Sequence, residues 1–549
     1  MMLATLLILV SLCSALPSWA QTYDTLTMVR PVATGSAGTG LHANNRIYRA
    51  HPGIQYEIHA DAIGGNWPYT YALSGEPTGM TISAGPCTDI GPTGCTAGTI
   101  TWTNPQTTCS TCTAGVTAPI TVTVTDKNGT QVSGTWSITV TTTGFYFINA
   151  DSGNNANAGT LAAPWQTLDK ARTTAGANSI VIFRGATAAY TLGSPASDHG
   201  CQGDRYRFFQ ATEPTIFIGY PGETAVIDFQ STGGASVPCI FMQSDNIWID
   251  NLEIKNIGSI GFDFAPSNRY GPVVRKLNAH DLKDGENGQN SSFIRTVSNY
   301  NSPSYHYTVQ NSYFDRVQGD GNVEDGDGGS ALDDGCGLKV YSSRDALFEH
   351  NHFSGSAFNE AMMALKSEVP KYTVRGNIGA SDVTTFIGGN MDKNIGISTQ
   401  GDIYHNLCLG SGGGASSGRG CLTIGWSLPT HPILQTQVWR NTFIGEVVIA
   451  NLQTQDGPYY FNDNVILNSV AASGSCPANY RCDTVTDYSR LVDNADNLKG
   501  ANDGSIANAT TGILINRALV GTVGFELGSS GGLRFSPSFL RRVSLEVEP

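Results

Sequence analysis

Charge is scarce in this chain of 549 residues: Asp, Glu, Lys and Arg together make up 14% of it. Basic residues are scarcer still, with 31 Lys and Arg against 45 Asp and Glu, for a formal net charge of −14. That balance repels phosphate backbones and anionic lipid, so neither nucleic acid nor a membrane surface is expected as a partner. Beyond the first twenty residues no apolar run approaches the eighteen or so needed to span a bilayer. Long stretches with a 3.6-residue apolar period are also missing, which argues against a helical protein. What fills the chain instead is Gly (64 residues) with Ser, Thr and Asn, around a hydrophobic fraction of 40% that suffices for a core. The length exceeds one compact core and implies two or more domains, or an elongated one.

Residues 1–20 hold an apolar run from Leu3 to Leu12, a helix-breaking Pro17 and the small-x-small end Ser18-Trp19-Ala20, the pattern of a cleaved export signal. Cys13 follows Leu12 where a lipoprotein signal needs a small residue, so a free secreted protein is expected, extracellular or periplasmic and monomeric. Ten of the remaining cysteines form close sequential couples, Cys87/Cys95, Cys109/Cys112, Cys201/Cys239, Cys408/Cys421 and Cys476/Cys482, with Cys336 left over. Loop staples of this kind suit an oxidising compartment. A zinc site at Cys109-Ser-Thr-Cys112 is the alternative, but the next nearest cysteines are seven residues apart from each other.

The all-β reading divides into two parts. Across 21–143, runs of alternating apolar and polar residues (Tyr56–Ala60, Tyr69–Leu73, Thr99–Thr103, Ile120–Thr125, Trp136–Val140) are separated by Gly, Pro and Asn turns, which predicts a β-sandwich. Asn128-Gly129 marks a hairpin between the last two strands. The stretches from Pro68 to Ile82, Gly98 to Thr103 and Ile120 to Asp126 resemble the cadherin-like, immunoglobulin-fold modules of bacterial surface and secreted proteins, which space or bind. From 144 to 528 an apolar-x-x-Asn-apolar pattern recurs around Asn251, Asn351, Asn377, Asn406, Asn441 and Asn464, with a weaker copy at Asn311. From Asn311 the intervals are 40, 26, 29, 35 and 23 residues, one solenoid coil with variable insertions. Stacked Asn turns let the amides form a ladder. The opening Phe145–Gly153 with Ala158–Ala171, where a short helix is predicted over 162–171, resembles secreted right-handed parallel β-helix enzymes, in which such a helix caps the solenoid. After about 470 the repeat fades, and 529–549 is expected to be a cap or tail.

Chemistry concentrates in one region. Asp320, Glu324, Asp325, Asp327, Asp333 and Asp334 lie within fifteen positions with no Lys or Arg among them, interleaved with Gly. Hard oxygen donors on a pliable loop suit Ca²⁺, although the spacing is not that of an EF-hand, and a solvated acidic loop is the plain alternative. The following block, Asp333 to Phe353, then Asn359-Glu360-Ala-Met-Met-Ala-Leu-Lys366-Ser367 and Tyr372 to Asn377, resembles the centre of the alginate lyase and chondroitinase B group of β-helix polysaccharide lyases. The resemblance implies β-elimination on a uronate-containing polysaccharide: Lys366 as base, Arg375 for the substrate carboxylate, Lys339, Arg344, His350 and Lys393 as further substrate contacts, and Asp325, Asp327, Asp333, Asp334 and Glu360 around Ca²⁺. The chain departs from that family in the Glu-to-Lys spacing, shorter by one, and in lacking an Arg-His-Gly near Phe386–Asn390. Elimination requires the uronate carboxylate to be neutralised and the lysine to titrate well below about 10.4.

Two other classes stand beside this one. Adjacent Asp333 and Asp334 resemble the carboxylate pair of pectin-hydrolysing β-helices, the basis of a glycoside hydrolase reading. A solenoid serving only as stalk or adhesin is the non-catalytic reading. Weaker motifs are the Gly414-Ala-Ser416-Ser-Gly418 elbow pattern, His350 with His352 on one strand face, and Trp248, Trp426, Trp439, Tyr305 and Tyr307 as sugar platforms or coil buttresses.

Overall fold

The structure is a computed structural model. It describes residues 23–33 and 45–500 except 88–89, 94, 178, 192–206, 210–214, 231–237, 243–246, 258–259, 265–269, 283–291, 297–303, 319–335, 342, 357–360, 367–370, 381–384, 390–399, 410–419, 426–434, 469, 484 and 495–496, together with the strands Phe525–Leu527 and Leu533–Phe535. The export segment and most of 529–549 lie outside the described residues.

The first part is the predicted sandwich. In Ile120–Thr125 the alternation buries Ile120, Val122 and Val124 completely. On the opposite side, Thr121 and Thr123 meet Thr135 and Ser133 of the neighbouring strand at 2.9 Å each. The hairpin closes at Thr125 opposite Gln131, and the Asp126 carboxylate accepts from the Asn128 and Thr130 amides at 2.9 and 2.8 Å. Gly129, at φ +86°, supplies the left-handed residue this turn needs. A second antiparallel layer, Tyr56–His59 with Thr99–Trp102 and Met80–Ile82, turns Tyr56, Ile58, Ile100 and Trp102 inward.

From Phe145 the chain coils as a parallel β-helix with three faces. The first and second faces belong to one 22-stranded sheet bent along its length, and the third is a 10-stranded parallel sheet. The interior is stacked in register: Ile249, Val274, Val309, Phe348, Val374, Ile403 and Val438 occupy successive coils and are all fully buried. Each such side chain contributes roughly 1.5–3 kcal/mol, but only because the next coil covers it.

The bend between the first two faces explains the Asn pattern. One residue per coil takes positive φ: Asn251, Lys276, Asn311, His350, Gly376, His405, Arg440 and Asp463. The following residue points inward. There Asn351, Asn377, Asn406, Asn441, Asn464 and Asn497 form an amide ladder, each side chain donating to the next Oδ1 at 2.9–3.0 Å. Asn251 and Asn311 correct the prediction by one position: they hold the left-handed bend, and Leu252 and Ser312 stand where the ladder would continue. The cap helix also differs, running over Leu168–Thr174 from a Thr167 N-cap. Residues before it are drawn into pairing with the first strand, Trp165 N donating to Phe147 O and Asn149 N to Trp165 O.

The sequence leaves the sandwich as a spacer or binding unit. In the structure it lies along the first face of the solenoid. Outward residues of the early coils, Phe145, Phe147, Ile180, Ile182, Ile216 and Ile218, join its core. Further along, the outward file is Asp250, Arg275, Gln310, Glu349, Arg375, Tyr404 and Trp439, one per coil. The module meets this polar file with partners: Glu57 on Arg275 and Lys276, Gln310 on Asp61 at 3.1 Å, and Tyr69 Oη 3.0 Å from Arg375. Arg30 bonds Asp61 at 2.8 Å and the His306 carbonyl at 2.6 Å.

Candidate functional site

The covered first face contains two residues expected on substrate. Arg375 has no exposure; its guanidinium bonds Glu349 at 2.6–2.7 Å and the hydroxyls of Tyr69 and Tyr404 at 3.0 Å. It joins the two parts of the chain and faces no groove. His350 is likewise buried beside Trp67, and burial pushes its ring down to about 4. The left-handed bend at His350 and the inward Asn351 separate it from His352, so the two histidines do not share a face. Trp248 and Trp439 are buried under the module, and Tyr307 lies in the solenoid core.

The third face carries a different file. Its strands place Asp263, Arg295 and Lys339 in adjacent register, each flanked by core residues: Phe262 and Phe264, Ile294 and Thr296, Leu338 and Val340. Arg295 and Asp263 meet at 2.7 Å, yet burial raises the Asp263 carboxyl against the pull of that arginine. Lys339 is fully buried and Arg295 retains 18% exposure. One coil beyond Lys339, Lys366 leaves the strand Met363–Leu365, its amide donating to Val340 O at 2.9 Å and its ammonium lying 5.5 Å from the Tyr341 ring centre. Tyr341 is itself fixed by Thr296, whose hydroxyl bonds the Tyr341 carbonyl and amide at 2.9 and 2.8 Å. From strand spacings, one coil and two residues, Lys366 stands roughly 8 Å from Lys339. Arg295, Lys339 and Lys366 thus run diagonally across the face.

Lys339 and Lys366 were legible in the sequence; Asp263 and Arg295 were not singled out. A signal existed: a lone charge between two inward residues recurs in Phe262-Asp263-Phe264, Ile294-Arg295-Thr296 and Leu338-Lys339-Val340. Arg344 is exposed at the edge of the first face, 5.7 Å from the Tyr305 ring, which stacks on Tyr270. Asp325, Asp327, Asp333, Asp334, Glu360 and Lys393, the Ser416 motif and Trp426 lie outside the described residues. The acidic segment joins the third face at Cys336, five residues before Tyr341, the neighbour of Lys366; that is roughly 16 Å along the strand. Its anchor and Lys366 therefore stand at opposite edges of this face.

Four expected disulfides are present, Cys87–Cys95, Cys109–Cys112, Cys408–Cys421 and Cys476–Cys482. They fit an oxidising environment. The fifth expected bond, from Cys239 to Cys201, is not among the disulfides of the described residues. Cys239 stands in the third-face strand Pro238–Met242, whereas Cys201 lies outside the described residues, so the expectation for Cys239 is not met among them. Cys336 is a buried free thiol. Among the described residues no helix is long and apolar enough to cross a membrane.

The He_PIG family model, an Ig domain, matches residues 39–141, in agreement with the first part of this architecture. No curated protein matches the chain. Among solved structures, the chain is similar to pectate lyase Pel9A at 16% identity over 72% of this chain and 89% of that one, TM-score 0.41. It is similar to the GH136 lacto-N-biosidase from Eubacterium ramulus at 13% identity, 65% and 68% coverage, TM-score 0.38. To a rhamnogalacturonan lyase the values are 12%, 73% and 98%, and 0.36. The chain is an Ig-like module followed by a right-handed parallel β-helix.

Proposed function

We propose that the solenoid is a secreted polysaccharide lyase that cleaves a uronate-containing polymer by β-elimination across its third face. The observation that supports this most is the diagonal of Arg295, Lys339 and Lys366 in a chain whose net charge is −14. An acidic polymer approaching this protein meets repulsion except where such cations gather. Arg295 and Lys366 are the groups a polymer reaches, and Lys339, fully shielded, acts through its field. Abstraction of the proton α to a uronate carboxylate places charge on that carboxylate, and Arg295 stabilises it there. Lys366 is the base, its ammonium disfavoured by the two neighbouring cations.

Calcium enters on donor chemistry alone: Asp325, Asp327, Asp333, Asp334 and Glu360 offer the hard oxygen ligands it takes. Bound there, it would supply a further positive charge at the edge of the face. The test is to incubate the secreted chain with alginate, pectate and chondroitin, with and without a calcium chelator, following near-ultraviolet absorbance of unsaturated uronate. The expected result is a rise on at least one polymer that the chelator suppresses. New reducing ends without that absorbance would establish hydrolysis instead, and no change on any glycan would leave a binding protein.

A further inference from the structure

We infer that the groove between the module and the second face is a separate binding site for a neutral, hydroxyl-rich sugar residue. A cavity of about 510 Å³ opens there, lined by Pro92, Lys276, Asn278, Asn311, Tyr313 and Asp315. Both parts of the chain build it. Pro92 lies in the loop closed by Cys87–Cys95, and this loop is tied to the solenoid by Gly91 N donating to Gly376 O at 2.8 Å. Asn278 and Tyr313 are register neighbours in successive coils, and Asp315 follows on the same face.

The groups are fixed before any ligand arrives. The Ser354 hydroxyl donates to Asp315 at 2.9 Å and His352 Nδ1 lies 3.4 Å from the same carboxylate. The Tyr313 ring leans on the His352 ring at 5.7 Å. Asn311 Oδ1 is buried with no hydrogen-bond partner, an acceptor that calls for a donor from something bound. The lining therefore offers a ring face, one amide and two further oxygen acceptors, which match the C–H face and hydroxyl donors of a pyranose.

Charge selects the class. Lys276 is the cation in the lining, and Glu57 already holds its ammonium. Burial raises Asp315, but His352 and Ser354 outweigh it and keep the carboxyl below its usual range, hence ionised at neutral pH. An ionised acceptor repels uronates and phosphates and accepts from neutral sugars. This site does not depend on the lyase reading and would hold a neutral stretch or branch of a glycan beside the third face.

Titration calorimetry of the full chain with cellohexaose, mannohexaose, xylohexaose and an oligogalacturonate tests it. At least one neutral oligosaccharide should bind, more tightly than the oligogalacturonate, and Tyr313→Ala should weaken it at least tenfold. Asn311→Gly removes the acceptor while keeping the left-handed bend, as Gly376 does in a nearby coil, and should also weaken binding with the melting temperature unchanged. Absence of binding by all three neutral sugars, preference for the oligogalacturonate, or undiminished binding by Asn311→Gly would overturn the proposal.

Discussion

Glu349 and Arg375 are buried at 2% and 0% exposure and hold each other at 2.6–2.7 Å between two domains. Removing one partner leaves an uncompensated charge, which typically costs about 3–5 kcal/mol, whereas replacing both by apolar residues of similar size costs far less. Glu349→Gln and Arg375→Met should each lower the denaturation midpoint sharply, and Glu349→Leu with Arg375→Met together should recover most of the loss. Equal losses for the single and double variants would contradict the pairing. At this scale the sequence was partly legible. Asn377, Asn406, Asn441 and Asn464 were found because the ladder demands the same letter in each coil. Asn251 and Asn311 misled by one position because asparagine also suits the left-handed bend. Arg375 looked like a substrate group because spacing reports a strand position and says nothing of what covers it.

Elements follow the same division. The antiparallel strands of the sandwich and the coils of the solenoid come directly from periodicity, while the cap helix shifted because Trp165 pairs with the first strand. Docking of the module was hidden, since an outward charge on a β-helix face reads as solvated until a second surface meets it. That buried contact makes stability depend on pH. Burial, reinforced by Asp24, raises Asp402 from 3.8 to about 7. Its folded state favours the proton, so its contribution is complete below pH 3.8 and lost as pH rises through about 7. His350 acts in the opposite sense: lowered from 6.5 to about 4, it contributes above 6.5 and is lost as pH falls through 4. Asp402→Asn, which stays neutral, should gain melting temperature relative to the parent chain as pH climbs through that window and level off above it. A difference independent of pH would refute the assignment.

At the scale of the whole molecule, three faces have three fates. The first is covered by the module, and the bend between first and second is only a residue wide, so the long insertions of each coil flank the third face. There the chain places Arg295, Lys339 and Lys366 one coil apart, a local exception to its acidic field. The measurement that tests this account most directly is the initial rate of unsaturated-uronate formation by the full chain and by Lys366→Ala, on the polymer that responds best, with both proteins shown to melt at the same temperature. Loss of a general base predicts a fall of about 10²-fold or more in kcat. A Lys366→Ala protein that forms unsaturated product at the parent rate would contradict it.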